Sequence, residues 1–388
     1  MGNQISKKFF QVFGLITLVI CLPLTARADA GTPLMWAGML HLFFGNAIIG
    51  FFEGFILAKF FKLQAHVCIW TMMLANYFSA WLGGLFLNQQ ITNHLPFNLY
   101  NAWHWIWTMV VVTYLITLVL EWPFVFFCFR KEPNRLKRSW LGNLLINSLS
   151  YVLLFGWYGM ASGTTLYTKT NIVQPSEINF PKNGIVYFIS ETNSVCRFDF
   201  GSRKTEFVCR LDADDKDGRL FTRPSAFDTN HWDILESSKS NLICTNLDVV
   251  ADQSWRDGTG PTRIGGTWFN FGYAPKLGAA EKSSWQFRTG FWPVEGLRGA
   301  NSNFQEHIHL SLETPFVDWV ARNATHLPGD FIVFQLGANQ ICLFEIATRK
   351  MALLIKGRGP VVVLPKLFII LWNLNLFSNP FYSPLKNR

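Results

Sequence analysis

Charge is what this sequence has little of. Charged residues fill 15% of its 388 positions, against about a quarter in soluble domains. Half of the residues are hydrophobic, with 37 Phe and 16 Trp. That balance excludes an ordinary soluble protein and points to a membrane protein. Catalytic signatures are missing as well. There is no G-x-S-x-G, no H-E-x-x-H, no P-loop and no C-x-x-C, so the patterns of an activated serine, a zincin helix, a phosphate cradle and a dithiol redox centre are all absent. No cofactor is indicated, and the chain reads as non-catalytic.

A nucleic-acid footprint is lacking too, despite a net charge of +9. Between Thr165 and Lys366 stand 22 Lys and Arg against 21 Asp and Glu. The surplus lies in the N-terminal tip (Lys7, Lys8, Arg27), in two short loops (Lys59, Lys62; Arg130, Lys131, Arg135, Lys137, Arg138) and in the C-terminal tip (Lys386, Arg388). Charge in short loops beside apolar runs reports topology, whereas a nucleic-acid site needs a basic patch on a folded face. The expected partner is the lipid bilayer, with no nucleic acid.

What is present is a tripartite N-terminus and four apolar runs. Residues 1–30 place two lysines before an apolar stretch that ends in A-R-A and A-D-A, the layout of a secretory signal peptide or an uncleaved signal anchor. Runs at about 34–58, 65–87, 103–129 and 140–161 each meet the ~20 residues needed to cross the hydrocarbon core. Loop 59–64 carries two lysines, loop 88–102 no Lys or Arg, and loop 130–139 five. Basic, neutral, basic alternation puts the first and third loops in the cytoplasm and everything after Ala161 outside. Trp36, Trp103, Trp105, Trp107 and Trp157 fall near the outer ends of their runs, as an aromatic belt does. The expected location is a bacterial inner membrane, multi-pass, over residues 31–162, with an extracytoplasmic domain.

From 165 to 365 the period shifts toward two, broken by Gly, Asn, Asp and Pro, as in short strands. Residues 184–209 align without gaps to 330–355 at an offset of 146, matching Phe188 to Phe334, Cys196 to Cys342 and Arg203 to Arg349. A shift of 48 brings Cys196 onto Cys244. A period of this size predicts propeller-like blades or stacked β-meanders. The expected class is therefore α + β: a four-helix transmembrane bundle, then an exported all-β repeat domain. An apolar tail, 366–388, contains a run too short to span.

Candidate sites are few. A hairpin turn centred on Ser202-Arg203 would set Cys196 opposite Cys209, and Cys342 opposite Ile355, so a Cys196–Cys209 disulfide is one expectation for an exported domain. In "EHIHL" (306–310), His307 and His309 share a strand face and offer two imidazoles to a metal, with Glu306, His326 or His231 as candidate third ligands. "LDADDKDGRLF" (211–221) departs from a calcium loop, because Ala213 and Pro224 fall at ligand positions. The glycine-rich 257–266 reads as a turn, and Asn323 opens a glycosylation sequon.

Ionisable groups in membrane helices are costly and mark functional candidates. Glu53 and Glu121 are the two here. Asn46, Gly50 and Glu53 share a helix face, as do Asn76, Ser79 and Gly83, and Asn143, Asn147 and Ser150. At a rise of about 1.5 Å per residue, Glu53, Glu121 and Asn147 should meet in the cytoplasmic half, with Asn46 and Asn76 paired in a second layer. Amides and small residues are also the usual glue between packed helices. Two functions follow. Either the helices anchor an exported domain that binds an envelope partner or ligand, or the chain is a small transporter or ion-coupled component working through Glu53 and Glu121.

Overall fold

The computed structural model describes residues 32–87, 91, 94–211, 218–236, 242–252, 263–264, 267–268, 272–290, 296–303 and 306–366. The signal segment 1–30, most of the acidic turn 211–221 and of the glycine-rich stretch 257–266, and the tail beyond Lys366 lie outside the described residues.

Helices occupy all four apolar runs. The first, α1 (Pro33–Phe61), starts where Thr32 accepts a hydrogen bond from the Met35 N–H at 3.2 Å and Pro33 supplies a preset φ. It ends at Lys62, whose left-handed backbone (φ 58°) lets the Leu63 N–H close on the Ala58 carbonyl. A π-helical turn interrupts it at His41–Gly45. The second, α2 (Ala65–Ser79), runs on as a π-helical segment over Ala80–Leu87. The third, α3 (Ala102–Cys128), contains Pro123, and the fourth, α4 (Arg135–Ala161), begins inside the basic loop. Three of them, α1, α3 and α4, are long and apolar enough to cross a membrane.

Their packing is inside-out. Val119 is 64% exposed and Leu153 63%, while Glu53, Glu121, Asn143 and Asn147 are at 3% or less. In water this arrangement would forfeit the hydrophobic term, but in lipid it satisfies both faces. The first two helices touch along Gly50 and Gly54. A Cβ added there would stand 2.5 Å from the Met73 Cα and 2.4 Å from the Ile69 Cα, so only glycine permits this approach.

The remainder is β-rich. Among the described residues there are six sheets, of which the four larger are built mainly from consecutive antiparallel strands. The first orders Lys204–Arg210, Ser194–Asp199, Ile185–Ile189, Arg358–Pro365 and Val249–Val250, so the last described strand completes the sheet begun by one of the earliest. The second holds Leu220–Pro224, Trp232–Glu236 and Leu242–Leu247; the third Gly272–Tyr273, Trp285–Gly290, Gly296–Asn301 and Glu306–Leu310. The fourth is the meander Ala321–Leu327, Phe331–Leu336, Gln340–Glu345, Lys350–Lys356, to which Asn171–Ile172 adds in parallel. The fold is thus α + β, and neither a closed barrel nor a propeller is seen among the described residues.

The aligned segments do share their register. Phe188 pairs with Cys196 and Phe334 with Cys342; Cys196 pairs with Phe207 and Cys342 with Leu353. Each hairpin has a bulge at the same place, with Val195 opposite Cys209 and Ile341 opposite Ile355. Arg203 and Arg349 both adopt φ near 57° in the turns.

The β domain sits directly on the helices. Leu99, Ala102 and Ile106 belong to the same buried cluster as Phe287, Phe334 and Phe344. The Leu99 N–H donates to Gln340 Oε1 at 2.7 Å, and the Tyr167 hydroxyl donates to the Leu99 carbonyl at 2.6 Å. Gly163, just past α4, exchanges two backbone hydrogen bonds with Glu313.

Candidate functional site

The four helices converge on two carboxyl groups. From α1, Glu53 accepts a hydrogen bond from Asn76 Nδ2 of α2 at 2.5 Å, with Ser150 of α4 also in bonding range. From α3, Glu121 accepts from Ser79 Oγ at 2.6 Å and from Asn147 Nδ2 at 3.2 Å. Asn76 and Ser79 stand one turn apart on α2, and Asn147 and Ser150 one turn apart on α4. On α4 Asn147 donates to Glu121, while Ser150, beside Glu53, donates to the Ile146 and Asn147 carbonyls. On α2 the spacing of three hands one donor to each carboxyl, which binds the two into one network. Asn143 extends it, accepting from Asn147 and donating to the Leu118 carbonyl.

Glu121 and Asn147 are brought together, and Glu53 joins them through Asn76 and Ser79. The second layer is corrected. Asn76 bonds Glu53 rather than Asn46, and Asn46 donates to the Leu42 carbonyl on its own helix. The amide of Asn76 also donates to the Met72 carbonyl, one turn back, which holds it facing α1.

A cavity of about 420 Å³ rises from this network. Its floor is Glu121, Asn147, Ser150, Asn76 and Ser79. Its walls are mostly apolar, including Ile106, Val110 and Leu154. Its mouth is framed by Ser162 and Thr164 after α4 and by the β-domain loop Thr314-Pro315-Phe316. Near the mouth His41 Nδ1 and the Tyr158 hydroxyl lie 2.7 Å apart. His41 is off the Glu53 face of α1, yet it lines the same cavity, because the π-helical turn at His41–Gly45 sits between them. That backbone irregularity leaves no mark in the residue spacing.

An apolar shaft with a polar floor can take an elongated solute that carries one polar end. Two buried carboxyls need a proton or a bound cation to neutralise their charge. Among the described residues no Lys or Arg is bonded to either.

The β-domain candidates fare differently. Cys196 does not face Cys209: the turn is centred on Gly201-Ser202, one position earlier than expected, which sets Cys196 opposite Phe207, the bulge beyond it sets Cys209 opposite Val195, and both thiols are unbridged. The same slip replaces Ile355 by Leu353 as the partner of Cys342. His307 and His309 do share a face, on the edge strand Glu306–Leu310, opposite Ala300 and Arg298. Their candidate third ligands are engaged elsewhere: Glu306 with Arg349, His326 with Asp330, His231 with Asp228. Among the described residues no group of three or more His, Cys, Asp or Glu is arranged to hold a metal. The sequon residue Asn323 is buried and donates to Gln335 Oε1, so its amide is not presented for glycosylation.

No family model and no curated protein matches the chain.

Proposed function

We propose that this is an integral, multi-pass membrane protein that couples ligand occupancy of its helical cavity to a proton or cation held by Glu53 and Glu121. The observation that carries this is the convergence of all four helices on two carboxyls, one of which, Glu121, lines a ligand-sized cavity. A bundle serving only as a tether needs neither feature. Nor does a tether need the buried cluster that joins Leu99 and Ile106 to the β-strands.

On this reading the first and third loops are cytoplasmic, in a bacterial inner membrane, and residues 1–30 direct export. The charge alternation of the loops supports that threading. The β domain lies outside, built of stacked meanders repeating at about 48 residues, and covers the cavity mouth. The shared hairpin register at an offset of 146 supports the repeat. An envelope partner or a soluble ligand meets the chain on that side.

The test is proton flux in proteoliposomes loaded with a pH-sensitive dye, comparing the full chain with Glu53→Gln and Glu121→Gln. Wild type should dissipate an imposed pH gradient at least tenfold faster than either variant, with all three folded. Equal rates, or no flux above empty liposomes, would overturn the proposal.

A further inference from the structure

The lining of the helical cavity is ordered along its length. On each helix the lining residue farthest from the β domain is polar: Asn46 on α1, Asn76 on α2, Glu121 on α3 and Asn147 on α4. Towards the β domain the α3 wall passes Ile116 and Val110 and reaches Trp107 and Trp103. Thr113 and Thr117 also stand on that wall, but their hydroxyls donate to backbone carbonyls one turn back. At about 1.5 Å per residue, Trp103 and Glu121 lie about 27 Å apart along α3. A solute that fills this space is long, with its polar end at Glu121.

Charge narrows the choice of that end. Among the described residues Glu121 is the only Asp or Glu on the wall, and no Lys or Arg joins it there. The side chains of 84–90, 92 and 93, which flank Ile91 of the wall, lie outside the described residues, and none of them is Lys or Arg. Glu121 accepts from Ser79 at Oε1 and from Asn147 at Oε2. An ionised carboxyl has about four acceptor sites, so it keeps room for further N–H donors. Nearer the β domain, His41 is hydrogen-bonded to the Tyr158 hydroxyl.

An anionic solute would bring a like charge to Glu121, which is unfavourable. A bare metal ion would shed its water against apolar walls, and no group of three His, Cys, Asp or Glu among the described residues replaces that shell. A neutral chain would fill the walls but leave the carboxyl without a counter-charge. An apolar body with an ammonium end meets both demands. The walls remove the chain from water, the carboxylate receives charge-assisted N–H bonds, and Trp107 and Trp103 give the entering cation aromatic neighbours. Resting on the proposal above that the helices hold a ligand, we infer that this ligand is a lipophilic amine, an elongated apolar body whose ammonium end pairs with Glu121.

The experiment uses the full chain in phosphatidylcholine nanodiscs, with thermal unfolding to show that each variant is folded. Calorimetric titrations compare three solutes of one chain length, decylammonium, decanol and decanoate, with the heat of empty nanodiscs subtracted. Wild type should bind decylammonium saturably and at least tenfold more tightly than either of the others. Glu121→Gln should bind decylammonium no more tightly than decanol. Leu154→Trp, which fills the shaft, should weaken decylammonium at least tenfold. Should Glu121→Gln not fold, the wild-type ranking and Leu154→Trp decide. Carboxyl-dependent proton flux with no preference for decylammonium would overturn the ligand class and leave the coupling standing. A Glu121-dependent preference without proton flux would uphold the ligand class and overturn the coupling. Equal binding of all three solutes, or decylammonium binding that Leu154→Trp leaves unchanged, overturns the inference.

Discussion

Asn76 is the residue on which the carboxyl pair turns. Its amide spends one N–H on the Met72 carbonyl and the other on Glu53. Asn76→Leu should therefore leave a buried carboxyl oxygen without its donor, at a cost of about 1–3 kcal/mol, read as a lower midpoint of thermal unfolding in detergent. In the β domain, Asp330 gives a prediction that depends on pH. The hydrogen bond from buried His326, with a second from Ser283, holds its carboxyl below the usual carboxylate value. A depressed folded pKa means stability that is present above the unfolded value of about 4 and lost as pH falls through the folded value. Asp330→Asn keeps the left-handed turn, which φ 57° requires and Asn tolerates. It should lower the unfolding midpoint at pH 7, and the gap to wild type should close below about pH 4. At this scale the sequence shows which residues share a helix face, so Glu121 and Asn147 could be matched from spacing and depth. It does not show how each helix is rotated against the next, and for that reason spacing alone matches Asn76 to Asn46, whereas the structure gives it to Glu53.

Among the elements, the hairpin of α1 and α2 is the tightest contact between helices. Gly54→Ala drives a Cβ into the Ile69 backbone, which cannot rotate away as a side chain would. Overpacking of this kind costs about 1–3 kcal/mol. Gly38→Ala, on the same helix with nothing within 4 Å, should leave stability unchanged. Paired thermal melts of the two variants check the contrast. The four helical runs were plain from their apolar length, and so were the short strands from their period and turns. The π-helical turns in α1 and α2 and the two hairpin bulges were not. A bulge adds one residue to one strand without altering composition, yet it shifts every partner beyond it. In the Cys196 hairpin the turn, centred one position earlier than Ser202-Arg203, moves the partner of Cys196 by two residues to Phe207, and the bulge then sets Val195 opposite Cys209.

As a whole molecule, the chain is held together where loop 95–101 enters the β domain. The Leu99 peptide is gripped on both sides, by Gln340 at its N–H and by Tyr167 at its carbonyl. Gln340→Ala should leave the Leu99 N–H buried and unpaired, at a cost of about 1–3 kcal/mol. Hydrogen exchange in the helix ends that meet the β domain and in the strand Phe331–Leu336 should then accelerate together. Exchange confined to one of them would show two independent units. This contact joins residues 241 apart in sequence, and no local pattern announces it. The division into helices and strands was legible; the surface by which one rests on the other was not.

The strand Arg358–Pro365 sets a timetable for synthesis. It pairs with Ile185–Ile189, and Val363 lies opposite Ile185. The first sheet to be translated waits for a partner made 178 residues later. At about 5–20 residues per second, the ribosome needs roughly 10–35 s to deliver it. For that interval the edge of Ile185–Ile189 has no neighbour on that side. A ribosome-bound chain arrested near residue 350 should therefore be cut readily by protease in 185–210, and one arrested well beyond 365 should resist.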